Sequence, residues 1–404
     1  MSDAHFFSPT YYQYVVKGGV RIEPPSRLST ETALGDRKAN PFHALICLAR
    51  KKEVQADALI CCGDLTMCAD PTAMNLGWLQ LHRQAAELNA GEPIVTAGNH
   101  DLDSRFKTSS TSPQKMLRYL DPPFPTANLL ASASYWSNGY CIIDRVPHLR
   151  VVLINTCSLH GYQNESDRQS DHGFIPDEVF SLLPDDLASR PHANMSILVC
   201  HHHPVEVDLP GEDKSIISNG EQLVELLTKL PSPAWMIVHG HRHLPKVHYA
   251  SSAPNSPVIF SAGSLAASLH LSLQGRTANQ FYLLEFEDDL SNMRGRYDAW
   301  TWDQNEGEWR TGQDTPAMPA AGGFGFRASP AETAAKIAGL VPPYSEGTIT
   351  WRFAENSNPD LRYLLPTQRQ AILDCLAGSH GIDWESGSKR SDVDARLLSL
   401  GRRP

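Results

Sequence analysis

Long apolar runs are missing from this sequence: none approaches the roughly 20 residues that a membrane-spanning helix requires, so no membrane partner is expected. No basic stretch followed by an apolar one is recognisable at the N-terminus, and a cytoplasmic chain is the expectation. Cysteine pairing motifs are missing as well. None of the eight cysteines forms a CxxC pair, and Cys61, Cys62 and Cys200 sit in apolar runs, as buried free thiols do. That argues against a disulfide framework. Basic residues are in the minority: 35 Lys and Arg against 45 Asp and Glu leave a formal net charge of −10. A protein that coats long nucleic acid through a general basic surface is thereby excluded, although a local basic cleft is not.

The 404 residues are 41% hydrophobic and 20% charged, which suits a globular protein whose core needs no covalent staples. Residues 40–66, NPFHALICLARKKEVQADALICCGDLT, read as helix, loop and strand. Asn40 can cap the helix, Pro41 suits its first turn, and Phe42, Leu45, Ile46 and Ala49 recur at helical spacing. DALICC then reads as a strand buried on both faces. The unit repeats at once, with MNLGWLQLHRQAAELNAG as helix and PIVTAGNHD as strand, which is βαβ logic. Beyond residue 130, YCIIDRV, LRVVLINT, SILVCHHHP, AWMIVHGH, SPVIFSAGS and QFYLLEFE are short apolar runs bounded by turn residues. They are expected to form a second sheet packed on the first. RGRYDAWTWDQNEGEWR suggests a terminal hairpin with exposed tryptophans. The expected division is a large domain over 1–310, a Gly/Pro/Ala linker over 311–328 and a small helical region over 329–404. In the last, SPAETAAKIAGL, PTQRQAILDCLAG and SDVDARLLSLG look helical.

Four polar clusters each follow an apolar run immediately: GDLT at 63–66, GNHD at 98–101, HHHP at 201–204 and GHRH at 240–243. Singly, each is an ordinary turn. Together they bring Asp, Asn and His to one edge, because the strands of a layered α/β fold present their carboxyl ends there. His241 and His243 are two residues apart, as are Asp3 and His5 in the opening MSDAH. In an extended chain that spacing points both side chains one way. Imidazoles mixed with carboxylate or amide oxygens suit borderline divalent metals such as Mn, Fe or Zn. The lack of cysteine donors argues against a closed structural zinc site.

The ordered series D-x-H, G-D, G-N-H-D, histidine before proline and G-H-x-H, spread over residues 3–243, resembles the calcineurin-like metallophosphoesterases. The resemblance implies an α/β fold, a four-layer αββα sandwich of two mixed β-sheets flanked by helices, here with a small mainly helical C-terminal region. It also implies two divalent metal ions, Mn first with Fe or Zn as alternatives. Asp3, His5 and His243 would hold one ion, Asn99, His202 and His241 the other, and Asp64 would bridge both. His202 is chosen and His201 is the fallback, because the family's ligand is usually followed by one residue and then proline. His100 would stand beside the phosphate, with Asp101 orienting it.

The activity implied is hydrolysis of a phosphodiester, a cyclic nucleotide or similar, by attack of a metal-bound hydroxide. One alternative is a nuclease of the same family acting on single-stranded DNA or RNA. FFSPTYYQYVVKGGVRIEPPSR, just after His5, has five aromatics with Lys17, Arg21 and Arg27, a set suited to stacking bases and neutralising phosphates. The other alternative is a non-catalytic scaffold on the same fold, which normally comes with lost ligands; here His100 and the whole ligand series are present. Two features depart from the family or lie outside the series. The first strand is nearly absent, so the ion at Asp3 and His5 is expected to be the more loosely held. The C-terminal region is expected to mediate docking or oligomerisation, or merely to cover a sheet edge.

Overall fold

The computed structural model describes residues 1–15, 23–33, 35–145, 149–162, 172–207, 215–230, 235–269, 273, 275–287, 293–311, 318–343, 347–385 and 396–399. A short helix, α1 (Pro9–Val15), precedes α2 (Pro41–Lys52). The Asn40 side chain caps α2 by accepting the His43 N–H at 3.0 Å, and Phe42, Leu45, Ile46 and Ala49 form its buried stripe. Strand β1 (Ile60–Cys61) follows. Helix α3 (Pro71–Glu87), capped by Asp70, leads to β2 (Ile94–Val95), which runs parallel to β1 with Ile60 opposite Ile94. The βαβ unit is thus as expected, with strands only two residues long.

After α4 (Lys115–Arg118) and α5 (Leu129–Asn138) comes a six-stranded mixed sheet. It comprises β3 (Tyr140–Arg145), β4 (Leu149–Ile154), β5 (Met195–Val199), β6 (Met236–His239), β7 (Lys246–Tyr249) and β8 (Val258–Ser261), in the order β3-β4-β5-β6-β8-β7. The four inner strands are parallel, and β3 and β7 close the edges antiparallel. Both faces are covered, which is why these strands read as unbroken apolar runs. In β5, Ile197 and Val199 face the core shared with α2, α3, β1 and β2. Leu198 and Cys200 instead face α6 (Asp177–Ala188) and α7 (Gly220–Lys229).

A separate four-stranded sheet comprises β9 (Gln280–Phe286), β10 (Gly295–Asp303), β11 (Glu308–Arg310) and β12 (Ala321–Phe324), all antiparallel. Three expectations are corrected here. QFYLLEFE belongs with β10 and not with the strands that precede it, because β9 and β10 pair along seven residues. The hairpin β10–β11 is present, but Trp302 and Trp309 are buried, and the Trp309 indole donates to Pro41 O at 2.8 Å. Covering α2 takes precedence over exposure. The stretch read as linker contains β12, which pairs with β10 from Gly295 opposite Phe324 to Asp298 opposite Ala321.

The C-terminal region folds round its own core, with Ile337, Trp351, Leu361, Ile372, Leu376 and Leu397 inside. It consists of α8 (Pro330–Ala338), β13 (Ile349–Thr350), α9 (Trp351–Ser357), α10 (Pro366–His380), β14 (Ile382–Glu385) and β15 (Arg396–Ser399), with sheet order β13-β15-β14. Two of the three expected helices are α8 and α10. The third pattern, SDVDARLLSLG, is a strand in its described part, residues 396–399, where it bridges β13 and β14. Among the described residues no helix is long and apolar enough to cross a membrane.

Candidate metal centre

Residues 1–6 run alongside residues 60–66 and are pinned on both flanks. The Met1 amino group donates to Ile60 O at 2.9 Å, Asp3 N to Gly63 O at 3.1 Å and His5 N to Asp64 O at 3.0 Å. On the other side Leu265 N donates to Ser2 O, and Ser264 Oγ to Asp3 O, each at 2.8 Å. Asp3 is 0% and His5 4% exposed. The segment lacks a regular strand, as expected, but it is not loosely anchored: neighbours on both flanks satisfy its backbone. Its geometry also differs from an extended pair. Asp3 and His5 both have φ of 53°, and Asp64 (53°), His241 (76°) and His243 (55°) share the left-handed region. For residues other than glycine this costs roughly 1–3 kcal/mol each, strain that clusters at functional sites.

The strand ends bring the side chains together. Asp3 Oδ1 lies 3.7 Å from His5 Nε2 and 3.2 Å from His243 Nε2. Asp64 Oδ2 lies 3.8 Å from His5 Nε2 and 3.2 Å from His201 Nε2. His201 Nε2 is in turn 3.0 Å from Asn99 Oδ1 and 3.1 Å from His241 Nδ1. Two donor groups therefore share one carboxylate oxygen. Donors around one ion at about 2.1 Å sit about 3.0–3.4 Å apart, which the spacings of 3.0–3.2 Å fit, while His5 stands wider, at 3.7 and 3.8 Å from the two carboxylates. Asp3 Oδ1 and His5 Nε2 are, moreover, buried without a hydrogen-bond partner, and the set is oxygen and nitrogen only, as a divalent ion of borderline softness prefers. Glycine makes the close approach possible. A Cβ on Gly98 would stand 2.2 Å from Asp64 Oδ1, and one on Gly240 2.5 Å from Asp3 Oδ2.

Charge follows the same plan. Burial pushes the Asp3 carboxyl up, but the imidazoles of His243, His5 and His201 outweigh it and hold the group well below the usual range. For Asp64, burial is likewise overcome by His201, His100 and His5, which bring it to about 2. His201 shows the converse, with desolvation overcome by Asp64 and Asp3 and the imidazole raised to about 9. Burial, with the His5, His201 and His243 imidazoles nearby, brings His100 down to about 4 against the attraction of Asp64. Its backbone N–H donates to Asp64 Oδ1 at 2.8 Å, and its ring meets that of His5 edge-on at 5.1 Å.

His202 and Asp101 are placed differently from expectation. His202 does not join Asn99, Asp64 and His241; its Nδ1 lies 2.8 Å from Thr156 Oγ1, in a buried group with Cys157 and His160. The reason is strand phase. Continuing the alternation of β5, His201 falls on the inter-sheet side with Val199, and His202 on the opposite side with Cys200. Asp101 does not touch the His100 ring. Its carboxylate accepts Thr66 N–H at 2.8 Å and Gly98 N–H at 3.0 Å, so it holds the backbone of the GNHD turn, while desolvation and Asp64 raise it to about 7. Sequence reasoning also missed the groups that orient the imidazoles: Cys62 O, 2.8 Å from His201 Nδ1, and Met67 Sδ, 3.3 Å from His5 Nδ1. No motif marks either one.

A family model for calcineurin-like phosphoesterases matches residues 2–245. The chain belongs to that family, and its described residues bring together groups that could hold a metal ion. A second family model, wHTH-Calcineurin_assc, a winged helix-turn-helix description, matches residues 322–377. Comparison with curated proteins finds no match. Among solved structures, one described as the structure of PhoD is similar at 12% identity and TM-score 0.39, over 70% of this chain and 66% of that one. Another, described provisionally as a 5'-nucleotidase from Staphylococcus aureus in complex with alpha-ketoglutarate, is similar at 14% identity and TM-score 0.33, over 76% of this chain and 50% of that one. The chain thus spans half to about two thirds of the length of these structures.

Proposed function

We propose that the protein hydrolyses a small phosphodiester, a cyclic nucleotide or a compound like it, at a centre for two divalent ions. The observation that carries this reading is Asp64 Oδ2, within 3.8 Å of His5 Nε2 and 3.2 Å of His201 Nε2, one carboxylate oxygen between two donor sets. Asp3, His5 and His243 would hold one ion; Asn99, His201 and His241 would hold the other. Bound there, two divalent ions supply Lewis acidity, acidifying a water and offsetting charge on the attacking and leaving oxygens of an in-line displacement. The chain's own part is to fix these donors, to hold the phosphate beside His100, and to let that imidazole face the charge developing on the ester. The mixed nitrogen and oxygen donors favour Mn, with Fe or Zn next. Eight free thiols support a reducing, cytoplasmic setting. The C-terminal region, folded on its own core, is proposed as a docking module.

The nuclease reading has less support. Of the five aromatics after His5, Phe6 and Phe7 are 1% and 5% exposed and serve the core, which leaves Tyr11, Tyr12 and the exposed Tyr14. Lys17 and Arg21 lie outside the described residues.

The test is a count of ions and a substrate panel. Metal-free protein is loaded with Mn, Zn, Fe or Mg in turn and assayed on cyclic nucleotides, aryl phosphodiesters and monoesters, and single-stranded DNA and RNA. Two ions per chain and a preference for small diesters are expected. In Asp64→Asn, ion content and turnover should both collapse. Full turnover with one ion, or metal content and rate unchanged in Asp64→Asn, would overturn the reading.

A further inference from the structure

We propose that Ser104 is a positioning residue for this centre: its hydroxyl sets the peptide plane between Asn99 and His100, and so orients both side chains together. The inference rests on the roles assigned above to Asn99 and His100. That peptide is held at both ends. Its N–H, from His100, donates to Asp64 Oδ1 at 2.8 Å, and its carbonyl, on Asn99, accepts a hydrogen bond from Ser104 Oγ. At one end of this peptide the Asn99 side chain lies 3.0 Å from His201 Nε2, and at the other the His100 ring stands beside His5. Turning the plane would swing both side chains away at once.

Ser104 is itself fixed. Its N–H donates to Leu102 O at 2.9 Å, and the preceding Asp103 carboxylate accepts the N–H groups of Lys107 at 2.9 Å and of Thr108 and Ser109 at 2.6 Å each, which knots the chain on either side of Ser104. Behind the hydroxyl stands His160, with Nδ1 3.4 Å from Ser104 Oγ and Nε2 2.9 Å from His172 O. The clamp therefore ties the GNHD turn to the segment that follows β4. Asn99 and His100 are both half-buried, so without Ser104 the Asn99 carbonyl is free to turn toward solvent.

Ser104→Ala is the test, with Ser104→Cys, a weak donor of similar size, beside it. Misplacement of about 1 Å in such a site costs up to roughly 100-fold in rate. A 10- to 100-fold fall in kcat with little change in KM is expected for alanine, and a smaller fall for cysteine. Affinity for the second Mn ion should weaken, and sensitivity to leaving-group basicity should change in the same direction as in His100→Ala. A residue that only supported the fold would lower Tm and leave these three readouts alone. Values of kcat, second-ion affinity and leaving-group sensitivity within twofold of wild type in Ser104→Ala would overturn the inference. If Asp64→Asn is inert while Ser104→Ala is unchanged, this inference alone fails; if Asp64→Asn is also unchanged, the two-ion reading fails first.

Discussion

At the scale of single residues, His201 and His202 separate two roles that adjacent positions in a motif leave open. His201 is clamped through Nδ1 by Cys62 O and presents Nε2 to Asp64, Asn99 and His241, whereas His202 turns back to Thr156. His201→Ala should therefore lose the second ion and more than the roughly 10- to 100-fold in rate or metal affinity that removing an outer partner of a metal ligand costs. His202→Ala should keep both ions and most of the turnover, while leaving Thr156 short of a partner at a cost of about 1–3 kcal/mol. Metal analysis and denaturation of the two variants check this. Retention of the second ion in His201→Ala, with its loss in His202→Ala, would reverse the assignment.

At the scale of elements, the centre depends on turns whose backbones approach one another more closely than side chains allow. The GD turn after β1 and the GNHD turn after β2 touch where a Gly98 Cβ would meet Asp64 N at 2.3 Å, too close for any atom to remain. Gly98→Ala should push the shared carboxylate out of place, removing metal and activity together. Gly378, within α10, has nothing within 4 Å, and Gly378→Ala should raise stability by about 0.4–1 kcal/mol by restricting the unfolded chain. Thermal denaturation and metal content measured in parallel separate the two cases. A stable, metal-replete Gly98→Ala enzyme would show that the close approach is not required.

At the scale of the whole molecule, the C-terminal region is joined to the catalytic sheets through β12 and is not hung on a free tether. Tyr249, on edge strand β7, donates its hydroxyl to Phe326 O at 2.6 Å and accepts Gly325 N–H at 3.1 Å, with the Arg327 guanidinium over its ring at 3.7 Å. Within β12, Gly323 N donates to Leu364 O at 3.0 Å, and just beyond it Phe326 N donates to Tyr363 O at 3.2 Å. Tyr249→Phe should lower stability by about 1–2 kcal/mol with kcat unchanged. Ending the chain at residue 327 should destabilise the catalytic sheets as well, because Leu365 belongs to their core. Equal Tm for full-length and shortened chains would mean the two regions fold independently.

The donor types and their order were legible in the sequence, because coordination and hydrolysis require particular atoms and short polar motifs after apolar strands carry them: Asp3, His5, Asp64, Asn99, His241 and His243 all meet at one edge. The helices α2 and α3 were legible too, since caps and a 3.6-residue stripe are local properties. Other features depended on partners far along the chain. Which of His201 and His202 turns toward Asp64 and Asn99 is set by the phase of β5, and a strand buried on both faces shows no alternation from which to read that phase. The firmness of residues 1–6 comes from residues 60–66 and 264–265, and the strand at 321–324 from its pairing with β10. Ser104 carries no motif at all. Its role exists only because the fold brings its hydroxyl to the Asn99 carbonyl, a match of positions that composition and spacing do not encode.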